Sequence, residues 1–435
     1  MTDFDVAVVG AGRAGTAAAY RLARDGVDVA LLDRARQPGM KNVTGGVIYG
    51  EVLADLVPEF PEEAPLGRHV VEHNVRMLND GASIGVSYRD PAIRGEPNYT
   101  VQLGEFDPWF VERAEEQGAV FVPETTVRSV DQHEDGVVLG TDRPDGELTC
   151  EAVVGADGVN TTVGRTTGIR DTVRSGDVGL SVKRVVDLDR ETVDERFNLR
   201  SGEGAAYIFA GFPEGAPSVG YFLYTFESSI SVGAVGNMAT LEEFGDEGYS
   251  GRGTALYDML DRFVELEAVK PLVRGGTTTE YQGILVPEFG YRNLPDRQAG
   301  RICLVGDAAG LVLNKGFTFR GLDFGVESGI RAAEAAVQCA DGGDWSTFGR
   351  RYDDLLDDSY VMDELRQHRR LPSFLENERL YDAYPGMARE VLERTFSSAG
   401  DASGLTWRHA LAALRNRDVR LRDLVRDGWR AFRSV

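Results

Sequence analysis

Residues 4–15 read FDVAVVGAGRAG: a short apolar, β-branched run at 4–9 enters glycines at 10, 12 and 15, the GxGxxG spacing. TAAAYRLARD at 16–25 follows with helix-forming composition and stops at Gly26. VDVALLD at 27–33 then reads as a second strand ending in a carboxylate, Asp33. Together these are a βαβ unit, and in that context each glycine has a task. Gly10 makes the tight turn out of the strand, Gly12 lets backbone approach a pyrophosphate, and Gly15 permits close packing of helix on strand. The helix start offers free amides and partial positive charge to phosphates. Asp33, eighteen residues past Gly15, stands where a carboxylate accepts from both ribose hydroxyls and repels a 2′-phosphate. The expected fold class is α/β, built on a Rossmann-like dinucleotide-binding domain.

Composition bounds the rest. The 435 residues are 42% hydrophobic and 27% charged, an ordinary globular balance with length for one large or two medium cores. Seventy Asp and Glu against 47 Lys and Arg give a net charge of −23, which excludes nucleic acid as a partner. The basic set is 43 arginines and four lysines (Lys41, Lys183, Lys270, Lys315). An acidic surface nearly free of lysine is expected of a salt-loving, halophilic source, with stability that rises with KCl. No apolar run reaches the ~20 residues of a spanning helix, and no leader precedes the first strand, so the protein is expected in the cytoplasm. Three scattered cysteines, Cys150, Cys303 and Cys339, outline neither a disulfide framework nor a metal site.

Two later segments decide which dinucleotide is bound. After an alternating stretch at 119–128 that contains Val127, the strand LTCEAVVGADG ends at Asp157 and Gly158, and RICLVGDAAG ends at Gly306 and Asp307. FAD-binding enzymes of the hydroxylase and reductase type have a strand ending in DG and a later one ending in GD, and the chain resembles them in both. Asp307 is then expected on the ribityl chain. Between these landmarks, runs such as AAYIFAGF, VGYFLYTF and SISVGAVG, separated by Gly and Pro turns, read as an antiparallel sheet. The expected division is a discontinuous FAD-binding domain (1–75, 100–175, 295–345) of the glutathione reductase/hydroxylase type. An inserted antiparallel-sheet substrate domain (76–99, 176–294) and a C-terminal helical segment (346–435) complete it.

Two longer segments narrow the family. PGMKNVTGGVIY at 38–49 and GDAAGLVLNKGFTFRGLDFG at 306–325 resemble signature segments of the FixC branch of electron-transfer flavoprotein:quinone oxidoreductases, and EYQGILVPEFGY at 280–291 and FDPWFVERAEEQGA at 106–119 are similar to it too. The resemblance implies FAD, an electron-transfer flavoprotein as donor and a membrane quinone as acceptor, with electrons arriving singly. Such a relay needs no acid or base from the protein, so no catalytic residue is nominated. Carried over by position, the cofactor residues are Gly10, Gly12, Arg13, Ala14, Gly15, Asp33 and Arg34; Lys41, Asn42, Thr44, Gly45 and Gly46 beside the flavin ring; Val127, Asp157, Gly158, Gly306 and Asp307; and Gly316, Phe317 and Thr318 at the ring's pyrimidine side. Lys315 and Arg320 add charge there or form salt bridges.

Three departures from the family pattern stand out. Arg13 replaces a proline, and VQLG at 101–104 offers no arginine where the family places one on the cofactor. Full-length members carry an iron–sulfur domain, whereas three scattered cysteines cannot hold a cubane cluster. A separate ferredoxin-like subunit is expected to supply it. The alternative function is a flavin-dependent reductase or hydroxylase of a lipid or aromatic substrate, such as a prenyl-lipid (geranylgeranyl) reductase; a flavin-containing scaffold or redox sensor that does not turn over is a further rival. Residues 408–435 hold eight arginines and three aspartates, with Leu421, Val425, Trp429 and Phe432 near helical spacing. This tail either packs its apolar stripe on the FAD domain or lies on anionic lipid at the inner face of the cell membrane. Phe209, Phe212, Tyr221, Phe222 and Tyr224 form the other candidate quinone surface.

Overall fold

A computed structural model describes residues 2–40, 45–79, 81–144, 146–211, 219–246, 255–396 and 419–433. Its first sheet is built on Phe4–Val9, which pairs in parallel with Val29–Leu32 on one side and Glu147–Gly155 on the other. Val120–Val122 and Ile302–Leu304 extend it outward, also in parallel, and the hairpin Val127–His133/Gly136–Thr141 lies against Glu147–Gly155. The inner strands are apolar on both faces, as a parallel sheet covered by helices requires. Their registers align Val9 with Leu32 and Gly155, and Gly155 with Leu304, so four strands end at one edge. Gly10, Asp33, Ala156–Asp157 and Gly306–Asp307 follow those ends directly. This is the carboxyl edge at a strand-order reversal, where open α/β sheets bind ligands.

The helix Arg13–Arg24 crosses the longer helix Leu322–Gly342 at close range, through glycine. A Cβ on Gly329 would lie 2.1 Å from the Ala14 carbonyl oxygen, so only hydrogen there allows the two backbones to meet. Nothing in the local sequence around 329 marked this contact.

Among the described residues the second sheet has nine strands in the order 277–287, 178–187, 229–237, 219–225, 203–210, 66–79, 98–102, 45–49, with 82–89 on the edge of 66–79. It takes in more of the chain than 76–99 and 176–294, because Gly45–Tyr49, the whole of Leu66–Asn79 and Asn98–Gln102 join it. It is also not wholly antiparallel: Glu203–Ala210 runs parallel to Leu66–Asn79. The pleat sorts the aromatic residues. Phe209 and Tyr221 turn into a core with Phe263, whereas Phe222 and Tyr224 turn to the opposite face. Phe212 lies outside the described residues.

The C-terminal helix Leu421–Phe432 is oriented opposite to an ordinary amphipathic packing. Its buried contact is Asp427, which accepts from Asn377 Nδ2 (2.9 Å), Arg379 Nε (2.8 Å) and the Tyr384 hydroxyl (2.6 Å). Burial opposes ionisation there, but these bonds hold the carboxyl well below the usual carboxylate range. Leu421, Val425, Trp429 and Phe432 face outward, each at least 60% exposed, so the stripe does not pack on the FAD domain.

Candidate functional site

Between the carboxyl edge of the first sheet and the inner face of the second lies a cavity of about 730 Å³, within the range of ligand sites. Gly10, with φ +109°, sits where a Cβ would collide with the Ala156 carbonyl at 2.4 Å, and a Cβ on Gly15 would lie 1.9 Å from the Gly10 oxygen. Gly15 thus works beneath the cavity rather than in its lining. Gly12 caps the helix Arg13–Arg24, and space above it is open. No acidic residue stands in that helix's first turn, so its partial positive charge faces the cavity unneutralised. Asp33 accepts from the amides of Ala11 (2.9 Å) and Ala35 (2.7 Å), which fixes its carboxylate at the wall beside Arg34.

Arg13 lines the cavity and donates from Nη1 to Asp107 Oδ2 at 2.8 Å. Asp107 belongs to the FDPWF segment, so an arginine does stand over this segment, supplied by the helix rather than by VQLG. The other oxygen of Asp107 is buried without a protein hydrogen bond. Burial raises the Asp107 carboxyl to about 6, with Arg13 opposing. Asp307 also lines the cavity; burial raises its carboxyl while Arg13 and Arg170 pull it down. Arg170 holds the GD turn by donating to the Ala308 carbonyl at 2.6 Å, and Ser328 accepts from the Gly306 amide at 2.9 Å.

Asp157 and Gly158 line the cavity, but the Asp157 carboxylate is occupied at the start of the helix Thr162–Thr166, whose N-cap is Thr161. It accepts from the Thr161 hydroxyl and the amides of Thr162 (2.6 Å) and Val163 (3.1 Å). Ala14, Val127, Gly45, Gly46 and Gly306 complete the expected residues found in the wall. Lys41, Asn42 and Thr44 lie outside the described residues. Gly316, Phe317 and Thr318 stand off the cavity. They form the turn of a small hairpin, Leu313–Asn314 with Phe319–Arg320, whose tip leaves Phe317 54% exposed and bonds Thr318 to the Tyr49 hydroxyl. The cavity wall here is made instead by Arg320, Gly321 and Leu322, at the start of the long helix. Arg320 is both a wall residue and a salt-bridge partner: it bonds Asp323 and lies 4.6 Å over the Tyr49 ring. Lys315 pairs with Glu364 at 2.6 Å.

Of the opposite wall, the sequence reading names only Phe222 and Tyr224, among the candidate quinone-surface aromatics. Ser181, Lys183, Phe222, Tyr224, Val235 and Ile284 come from four strands and share one face because antiparallel partners do. The signal available was the period-two alternation at 219–225, which separates Phe222 and Tyr224 from Tyr221 but names no facing strand.

An FAD molecule suits these residues. The glycine cradle and the helix start with Arg13 answer to the phosphates of a dinucleotide, the buried Asp107 oxygen without a hydrogen bond answers to a donor such as a hydroxyl, and the Phe222 and Tyr224 wall answers to an aromatic ring. One prediction follows from Arg13. Arg13→Ala removes the cation at the helix start; a charge-assisted bond from it to a phosphate would be worth roughly 1.5–3 kcal/mol, so FAD is expected to dissociate about tenfold or more readily, read by recovery of free-flavin fluorescence on dilution. A second concerns Asp107. Its folded value lies above the unfolded one, so the stability it contributes is present below about pH 4 and lost as pH rises through about 6. Flavin-stripped Asp107→Asn should therefore gain on the wild type in denaturant melts as pH rises across that window.

Residues 3–198 match the FAD binding domain family, and residues 371–435 match the ETF-QO/FixC family C-terminal domain. The chain is 35% identical over 400 residues to the probable electron transfer flavoprotein-quinone oxidoreductase YdiS of Escherichia coli (strain K12), covering 91% of each. It is 34% identical to Protein FixC of Salmonella typhi, covering 92% of each, and 32% identical to Protein FixC of Escherichia coli (strain K12), covering 98% of each. Among solved structures it resembles a geranylgeranyl bacteriochlorophyll reductase-like protein from Thermoplasma acidophilum (TM-score 0.71, 16% identity, 95% and 96% of the chains). It also resembles halogenase PltM in complex with phloroglucinol and FAD (TM-score 0.66, 16% identity, 94% and 85%). At that identity the likeness shows the α/β fold of FAD-dependent hydroxylases and reductases.

Proposed function

The chain belongs to the ETF-QO/FixC family of FAD-dependent oxidoreductases, and from that premise we propose that it relays electrons from an electron-transfer flavoprotein to a membrane quinone. A separate ferredoxin-like protein carries the iron–sulfur step. The observation that carries the reading is one cavity with two unlike ends, a glycine and arginine cradle and a sheet wall that presents Phe222 and Tyr224. Bound FAD supplies the electron chemistry. The protein's part is to hold it: Gly12 and Arg13 at the phosphates, Asp33 at the ribose, Asp307 at the ribityl chain, and Gly45, Gly46 and Arg320 near the ring.

Among the described residues no helix is long and apolar enough to cross a membrane. Access to a lipid-soluble acceptor falls to the surface. The outward stripe of the helix Leu421–Phe432, flanked by Arg422, Arg426 and Arg430, has the form of an interfacial helix for anionic lipid. Wild-type protein should float with phosphatidylglycerol vesicles at low salt, and Val425→Glu/Phe432→Glu protein should stay in the aqueous phase. Equal flotation of the two would remove this role.

The function itself is tested by anaerobic reduction of the FAD form in molar KCl. Rapid reduction by a reduced electron-transfer flavoprotein with ferredoxin, followed by reoxidation with quinone, supports the relay. Direct reduction by NAD(P)H with indifference to quinone would favour a lipid or aromatic reductase or hydroxylase.

A further inference from the structure

The chain uses arginine almost everywhere a cation is needed, yet a lysine lines the sheet wall of the cavity. Lys183, on the strand Val178–Asp187, is 4% exposed, and its Nζ donates to the Gly45 carbonyl at 2.6 Å. Gly233 faces it on the next strand; a Cβ there would lie 2.7 Å from Lys183 Cβ and 2.3 Å from the Phe222 ring, so the glycine makes room for both. Arginine would supply a permanent charge at this point, whereas a buried lysine can give its proton up.

Glu280 stands on the neighbouring strand, where the register pairs Lys183 with Gln282 and Val185 with Glu280. It is half-buried, and its Oε2 is enclosed without a hydrogen bond. Glu280 also lines a second, solvent-open cavity of about 570 Å³ together with Asp187 and Thr279. It therefore borders solvent, and the register sets it diagonally from Lys183 on the same face of the sheet. Burial brings the Lys183 ammonium down to about 7, with Glu280 pulling it up; burial raises Glu280 in turn, with Lys183 opposing and Asp187 and Glu105 adding to the rise. Tyr224 lines the same wall, and burial raises both its phenol and that of Tyr49, so both stay neutral. Arg320, across the cavity, is held by Asp323.

We propose that Lys183 Nζ is the proton donor of this cavity and that Glu280 recharges it from solvent. The inference rests on the quinone reading above. Reducing a quinone to a quinol takes two electrons, which the donor protein supplies, and two protons, which come from water. In each pass an N–H bond at Nζ breaks as an O–H bond of the quinol forms, the nitrogen keeps its electron pair as a neutral amine, and Glu280 returns a proton to it. Two passes deliver both protons.

Four lysines make a direct measurement practical. In FAD-loaded protein labelled with ¹³C-lysine, one Cε resonance, missing in Lys183→Arg, should titrate near pH 7, and Glu280→Gln should move its midpoint lower by removing the negative neighbour. Dithionite-reduced wild type should be reoxidised by a soluble quinone at a rate that falls as pH rises through that midpoint. Lys183→Met and Lys183→Arg should both be slower by about 100-fold and lack this limb, since arginine keeps the charge but not the releasable proton. Flavin content and melting temperature establish that the variants are folded. A Lys183 midpoint above about 9, near the ordinary lysine value, or Lys183→Arg reoxidised at the wild-type rate, overturns the proposal. If quinone fails to reoxidise the wild type, the relay reading falls; the lysine titration then decides alone, a midpoint near 7 keeping the proton-holding role and one above about 9 removing it.

Discussion

Gly329→Leu is expected to yield a protein that purifies with little bound flavin, although residue 329 is not part of the cavity wall. The helix Leu322–Gly342 meets the helix Arg13–Arg24 at this point, and a Cβ at 329 would lie 2.1 Å from the Ala14 oxygen and 3.0 Å from the Ala18 nitrogen. Both obstacles are backbone, so no rotamer change relieves the clash. The helices must separate. Overpacking of this kind costs roughly 1–3 kcal/mol or more, and its structural consequence falls on Ala14, in the first turn of the helix whose start holds the cradle. A Cβ at Gly306 would lie 2.9 Å from the Ala14 Cβ, so the GD turn is seated against the same residue. Displacing Ala14 therefore moves two cofactor segments at once. Gly342→Ala, at the far end of the same helix with open space around it, is the control and should be neutral or stabilising by up to about 1 kcal/mol. Flavin-to-protein absorbance ratios and melting curves of the two variants read the effect. Full flavin occupancy and wild-type melting in Gly329→Leu would show that the crossing is not needed.

Arg68→Met should be the most destabilising substitution in the second sheet. Arg68 is completely buried, a rare state for arginine, and its guanidinium is fully engaged. Nε donates to the Phe226 carbonyl (2.6 Å), Nη1 to the Glu203 carbonyl (3.0 Å) and Nη2 to the Glu227 carbonyl (2.9 Å), and Nη1 also pairs with Asp194. Those partners come from the start of the strand Glu203–Ala210, the turn at 226–229 and the helix Arg190–Phe197. Arg68 thus joins three segments at the parallel pairing of this sheet, close to its register shift at Gly204/Ala205. Methionine fills part of the volume but leaves three carbonyls without a donor and Asp194 without its cation. Breaking a buried pair by removing one partner costs roughly 3–5 kcal/mol. A fall in melting temperature of roughly 5 to 10 °C is expected, and Arg68→Lys should recover only part of it because an ammonium cannot reproduce the planar fork. Melting within a degree of wild type would mean that water replaces the guanidinium at this site.

The FAD-binding half was legible in the sequence to a degree that the sheet half was not. Gly10, Gly12, Asp33, Asp157 and Asp307 all fall at strand ends on one sheet edge, as their motifs implied, because each motif is a strand and the turn directly after it. The turn at 316–318 was assigned to the cavity from position alone. A hairpin's direction depends on what its two strands pack against, and here Thr318 is bonded to the Tyr49 hydroxyl while the wall is made by Arg320, Gly321 and Leu322. The tail is a similar case: helical spacing identified the stripe Leu421, Val425, Trp429 and Phe432, but spacing says only that they share a face. Which face turns inward was decided by Arg379, Tyr384 and Asn377 gathering Asp427.

By itself the sequence determined the βαβ dinucleotide site, the likeness to FAD enzymes, the family and the acidic, arginine-rich surface. These are set by backbone angles, by hydrogen atoms where a Cβ will not fit, and by net charge, all of which act within a few residues or over the whole surface. Tertiary structure alone decided that Arg13 meets Asp107, that Lys183 reaches the Gly45 carbonyl, that Gly329 admits Ala14 and that Arg68 ties three segments together. Each of these joins residues roughly a hundred or more positions apart. A period of two or 3.6 states which residues share a face, but the partner of that face is chosen by strand order and register, which are properties of the folded chain as a whole.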